Sequence, residues 1–157
     1  PWEAYSDAEH ALWRRLYLRQ SALLPTHATR AFCEGLGRLG VEPERIPRFD
    51  AVSTQLARLT GWRLVGVPGL IPEAQFFAHL AARRFPVTIW MRRPEEIDYL
   101  AEPDLFHDFF GHVPLLADPV FAGFVAAYGR RGVELMAARP ALLERLARLY
   151  WYAVEFG

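Results

Sequence analysis

The sequence predicts a mainly α domain with two or more short β-strands. Three observations lead there. Apolar residues recur at helical spacing along most of the chain, often behind a residue suited to capping. Only residues 62–67 and 86–91 read as strands. A composition 52% apolar and 14% aromatic supplies a core and lies far from the disordered range. With 157 residues, one domain around one core is expected.

The elements follow in order. Over residues 6–23, Ser6 with Glu9 has the pattern of a capping box, and Leu12, Leu16 and Tyr17 repeat on one face. A second helix over 26–38 ends at Gly40, a residue type that suits a helix stop. Residues 41–50 hold Pro43 and Pro47 and form a connector, and a third helix over 53–59 is stopped by Gly61. The first strand, WRLVGV at 62–67, is closed by Pro68-Gly69. Phe76, Phe77 and Leu80 restore helical spacing over 73–84, and PVTIWM at 86–91 is the second strand. From Pro103 onward the pattern is mostly helical. Residues 141–156 look apolar almost all round, as a helix buried inside a larger protein would be. A chain that stops in such core-like sequence suggests a domain truncated at its C-terminus.

Charge and cysteine content exclude several classes. Eighteen basic residues, all arginine, balance eighteen acidic ones. That argues against nucleic acid or an anionic membrane as partner. Cys33 is the only cysteine, so an intramolecular disulfide is impossible and a buried, reduced thiol is expected. No signal peptide is evident, and no apolar run nears the roughly 20 residues of a membrane helix. A cytoplasmic monomer acting on small molecules is the expectation.

The chemistry concentrates in the stretch from Glu102 to Pro114. Asp104 suits the N-cap of a short helix that includes His107. His112 follows five residues later, about 140° away on a continuous helix, and the pair lacks the i, i+4 spacing of zinc proteases. The helix is therefore expected to end between them at Gly111, with Pro114 disfavouring helical geometry at Val113. Glu155 stands among Tyr150, Trp151, Tyr152, Val154 and Phe156, where a lone carboxylate is costly unless paired or bound to a metal. Two imidazoles and one carboxylate form the facial triad of non-haem iron oxygenases. A zinc hydrolase using the same three ligands, and an inactive metal-binding fragment, remain open at this point. His10, His27 and His79 read as ordinary histidines.

The block PDLFHDFFGHVPLLADPVFAGF, with VPGLI, TIWMRR and LYWYAVEFG, resembles the pterin-dependent aromatic amino acid hydroxylases. Their bacterial phenylalanine-hydroxylating members are the most similar. The resemblance implies the catalytic-domain fold of that family, with iron(II) held by His107, His112 and Glu155 and with Tyr150 beside it. It places the amino acid carboxylate on Arg92, and Tyr99, Pro103, Trp151 and Phe156 around the substrate. A tetrahydropterin would meet Leu70, Ile71 and Phe76, stacking on Phe76, and would contact Asp108 through water. The implied reaction uses O2 and the tetrahydropterin to convert L-phenylalanine to L-tyrosine. Two positions depart from the animal pattern: Leu100 replaces a threonine and Asp108 a glutamate.

Overall fold

A computed structural model of the chain describes residues 2–155. The capping box at Ser6 forms: Ser6 Oγ accepts from the Glu9 backbone N–H at 3.3 Å, and Glu9 Oε2 accepts from that of Ser6 at 2.7 Å. It opens α1 (Asp7–Ser21). The expected second helix is two, α2 (Leu24–His27) and α3 (Arg30–Arg38). Thr29 divides them, because it is extended and its Oγ accepts from Phe32 N as a new N-cap. Helix α4 (Phe49–Leu59) starts earlier than expected, drawing Phe49 onto Phe109 with ring centroids 6.1 Å apart.

Strands β1 (Arg63–Val67) and β2 (Arg84–Thr88) pair in parallel, joined through α5 (Glu73–Ala81). Strand β2 begins before the expected 86–91 and stops sooner. Arg83 takes a left-handed φ of 54° and turns the chain straight from α5 into the strand. Pro86 is tolerated because a two-stranded sheet leaves β2 a free edge.

Helix α6 (Leu105–His112) runs through the centre. Leu105, Phe106, Phe109 and Phe110 are buried, and Trp13 meets Phe106 and Phe109 edge-on at 5.2 and 5.7 Å. A 3-10 turn, Val113–Ala117, leads to α7 (Pro119–Ala138), whose N-terminus is capped by Asp118 Oδ1. Helix α5 lies so close to α7 that a Cβ on Gly132 would come within 2.0 Å of the Phe77 ring.

Two expectations fail here. Cys33 is exposed, because the buried face of α3 is formed by Gly35, Leu36 and the following Leu39. Residues 141–155 are not one helix that is apolar all round. They give the end of a 3-10 turn, α8 (Leu143–Tyr150) and a π-turn over Trp151–Glu155, none with a buried residue. Leu143, Leu146 and Tyr150 form the inward stripe, while Glu144, Arg145 and Arg148 face solvent and make the helix amphipathic. Among the described residues, no single helix is long and apolar enough to cross a membrane.

Candidate metal centre

Helix α6 presents its aromatic residues to the core and His107 and Asp108 to a cavity of about 750 Å³. Its N-cap is Asp104, fully buried, which accepts from His107 N at 2.9 Å. The helix does not end at Gly111. It continues to His112, where φ reaches −117° while Val113 stays helical despite Pro114. That late distortion accompanies the approach of the two imidazoles, whose Nε2 atoms lie 3.4 Å apart.

The π-turn after α8 supplies the third group. Glu155 Oε1 is 2.9 Å from His107 Nε2, and Oε2 is 3.4 Å from His112 Nε2. An ion about 2.1 Å from three donors at right angles would hold them roughly 3 Å apart. The observed separations fit that requirement. The Glu155 hydrogen bond raises the proton affinity of His107, against the effect of burial. Both histidines hold the Glu155 carboxyl well below the usual carboxylate range. Metal binding at these groups competes with their protonation.

Around the triad, Asp108 accepts from Thr88 N at 2.8 Å, tying α6 to the end of β2. Burial pushes its carboxyl up, and the Thr88 hydrogen bond opposes the rise. Burial, with the Glu155 charge adding, pushes the Tyr150 phenol up as well. Tyr150 meets Phe76 edge-on at 5.5 Å and lies 6.5 Å from the His112 ring.

Arg92 lies on the same cavity but is not a free fork. Asp104 Oδ2 accepts from its Nε and Oδ1 from its Nη2, both at 2.9 Å, and Oδ2 also accepts from Arg92 N at 3.0 Å. One edge of the guanidinium is thus occupied. The other, Nη1 with the second Nη2 hydrogen, has only a 3.5 Å approach to the Ile97 carbonyl and can take a second carboxylate.

The cavity brings together Leu70, Ile71, Phe76, Arg92, Tyr99, Pro103, His107, Asp108, His112, Tyr150, Trp151 and Glu155. Leu70 and Tyr99 are largely exposed at its rim, and Trp151 is half exposed. Phe156 lies outside the described residues. Sequence reasoning missed Asp104 as the partner of Arg92, since nothing local links residues 12 apart across a loop.

Residues 1–157 match the family described as biopterin-dependent aromatic amino acid hydroxylase. The chain is 57% identical over its whole length to a phenylalanine-4-hydroxylase of Ralstonia nicotianae, spanning 50% of that protein. It is 55% identical to that of Chromobacterium violaceum, spanning 52%. A crystal structure of the Chromobacterium enzyme with iron(III) and 7,8-dihydrobiopterin superposes with a TM-score of 0.93 at 55% identity, covering 98% of this chain and 56% of that one. Another, with iron and phenylalanine bound, gives 0.88 at 53% identity, covering 96% and 53%. The chain therefore spans about half the length of the curated relatives it matches.

Proposed function

The chain belongs to the biopterin-dependent aromatic amino acid hydroxylases, and we propose that it is the metal-binding part of a phenylalanine 4-monooxygenase. The observation that carries this is the convergence of His107, His112 and Glu155 at the inner wall of a cavity large enough for two small organic molecules. These three residues would hold iron(II). With O2 and a tetrahydropterin as two-electron donor, the iron would supply the chemistry that puts one oxygen atom on the phenylalanine ring and releases the other in water.

The chain's own residues bind and orient. Phe76 offers an aromatic face for a bicyclic pterin, between the rim residues Leu70 and Ile71 and the inner carboxylate of Asp108. Asp104 holds Arg92 so that its remaining edge is ready for the amino acid carboxylate, a bidentate arrangement that fixes the direction in which the substrate ring lies. Tyr99, Pro103 and Trp151 enclose that ring and limit access of water. The same Asp104 caps the helix bearing both histidines, so one buried carboxylate positions the substrate anchor and two metal ligands.

Residues 1–157 supply the iron-binding region of a catalytic unit whose relatives are about twice as long. A hydrolytic zinc centre with the same ligands is not favoured by the family. The test is made on the full-length protein loaded with iron(II). Tyrosine should form from phenylalanine only with O2 and a tetrahydropterin, at up to one tyrosine per pterin oxidised. Pterin-independent turnover, or activity supported equally by zinc, would overturn the assignment.

A further inference from the structure

Of the three candidate ligands, Glu155 alone comes from outside α6. Its reach depends on where α8 lies, because the π-turn that carries it continues directly from that helix. Tyr128 on α7 touches α8 twice. Its Oη donates to the Leu146 carbonyl at 3.2 Å, and its ring packs on Tyr150 with centroids 5.5 Å apart. Leu146 and Tyr150 stand one turn apart on the inward stripe of α8. A helical carbonyl uses one lone pair in the helix ladder and can accept the hydroxyl with the other.

Tyr128 is itself fixed. It is buried, and its ring also packs on Phe77 of α5 at 5.5 Å. The next residue, Gly129, brings α7 so close to α5 that a Cβ there would collide with the backbone of Leu80 and Ala81. Burial pushes the phenol up to about 12, so the hydroxyl keeps its proton and remains a donor throughout the neutral range. On the other side, Tyr150 approaches the His112 ring to 6.5 Å. Packing contacts therefore run from α5 and α7, through Tyr128, to the helix that delivers the carboxylate.

We propose that Tyr128 is a positioning residue for the metal centre, holding α8 where Glu155 can meet an ion bound by His107 and His112. The proposal rests on the reading of those three side chains as the ligand set. Groups that orient a ligand without touching the ion commonly govern metal affinity by about 10- to 100-fold. Tyr128 acts through the backbone of α8 and not on the carboxylate itself, which puts its share at the lower end. A hydroxyl that only stabilised the fold would affect iron no more than any other tyrosine hydroxyl bound to a carbonyl. Tyr17 supplies that control: its Oη donates to the Val41 carbonyl at 3.0 Å, away from α8.

The test uses the full-length protein loaded with iron(II). It measures release of the metal to a chromogenic chelator, beside the melting temperature of each variant. Tyr128→Phe keeps the ring and removes only the hydroxyl, and it should release iron about 10-fold faster than the parent. Tyr17→Phe should lower the melting temperature by a similar amount and release iron at the parent rate. With cobalt(II) in place of iron, the visible absorption bands report ligand geometry. They should shift in Tyr128→Phe and stay in place in Tyr17→Phe. Equal release from the parent and Tyr128→Phe would overturn the role of Tyr128, as would equal acceleration in Tyr17→Phe. Glu155→Ala separates this role from the ligand assignment. If that variant holds iron normally, the ligand set fails and the positioning role with it. If it loses iron while Tyr128→Phe behaves as the parent, only the positioning role fails.

Discussion

The three groups of the candidate metal centre come from two unequal regions. His107 and His112 ride on α6, whose opposite face buries Leu105, Phe106, Phe109 and Phe110 and whose N-terminus is held by a buried carboxylate. Glu155 arrives on the turn after α8, a helix that rests on the core through Leu143, Leu146 and Tyr150. Rigidity follows burial, so the histidines are placed by the core itself. The carboxylate depends on the contacts that Leu143, Leu146 and Tyr150 make with that core. Two of the candidate ligands thus belong to a core helix, and the third to a turn reached through a separate helix.

Mutations in the two regions should differ accordingly. Asp104→Ala is expected to have the largest effect, because it uncaps α6 and leaves the nearly buried Arg92 guanidinium unpaired. Chemical denaturation should show a loss of about 3–5 kcal/mol. A loss under 1 kcal/mol would mean that α6 is not anchored by this pair. Next comes Gly132→Ala, whose methyl would collide with Phe77 and push α5 outward. It should cost about 1–3 kcal/mol and weaken pterin binding, since Phe76 moves with α5. Unchanged melting temperature would remove the close α5–α7 packing from the picture.

Leu146→Ala sharpens the contrast. Leu146 packs half-buried on the core side of α8, so stability should fall by only about 1 kcal/mol. Iron affinity should fall more than that figure suggests, because the segment carrying Glu155 loosens; equal iron affinity would show that Glu155 is fixed by other means. Smallest of all is Glu144→Ala, which removes an exposed pair with Arg148. Its effect should stay below about 0.5 kcal/mol by thermal melting.

What the sequence made legible divides along the same line. The capping box at Ser6 and the cap at Asp104 are local signals, and each formed. The histidine pair was found for its residue types, but the expected break at Gly111 was misplaced. The distortion falls at His112, and idealised helix angles do not anticipate how a final residue bends. The second helix divided because Thr29 offered a cap stronger than the apolar pattern around it. The character of 141–156 was misjudged because counting aromatic residues hid the outward charges of Glu144, Arg145 and Arg148. The Asp104–Arg92 pair was invisible, since it depends on how the loop between β2 and α6 folds back.

The most direct test of the metal centre is iron content. Full-length protein and its His107→Ala, His112→Ala and Glu155→Ala variants, each shown to be folded, are equilibrated with iron(II) and analysed for bound metal. If the three side chains form the ligand set, the parent binds one iron per chain and each variant binds almost none. Near-normal iron in any one variant would contradict the assignment of that residue.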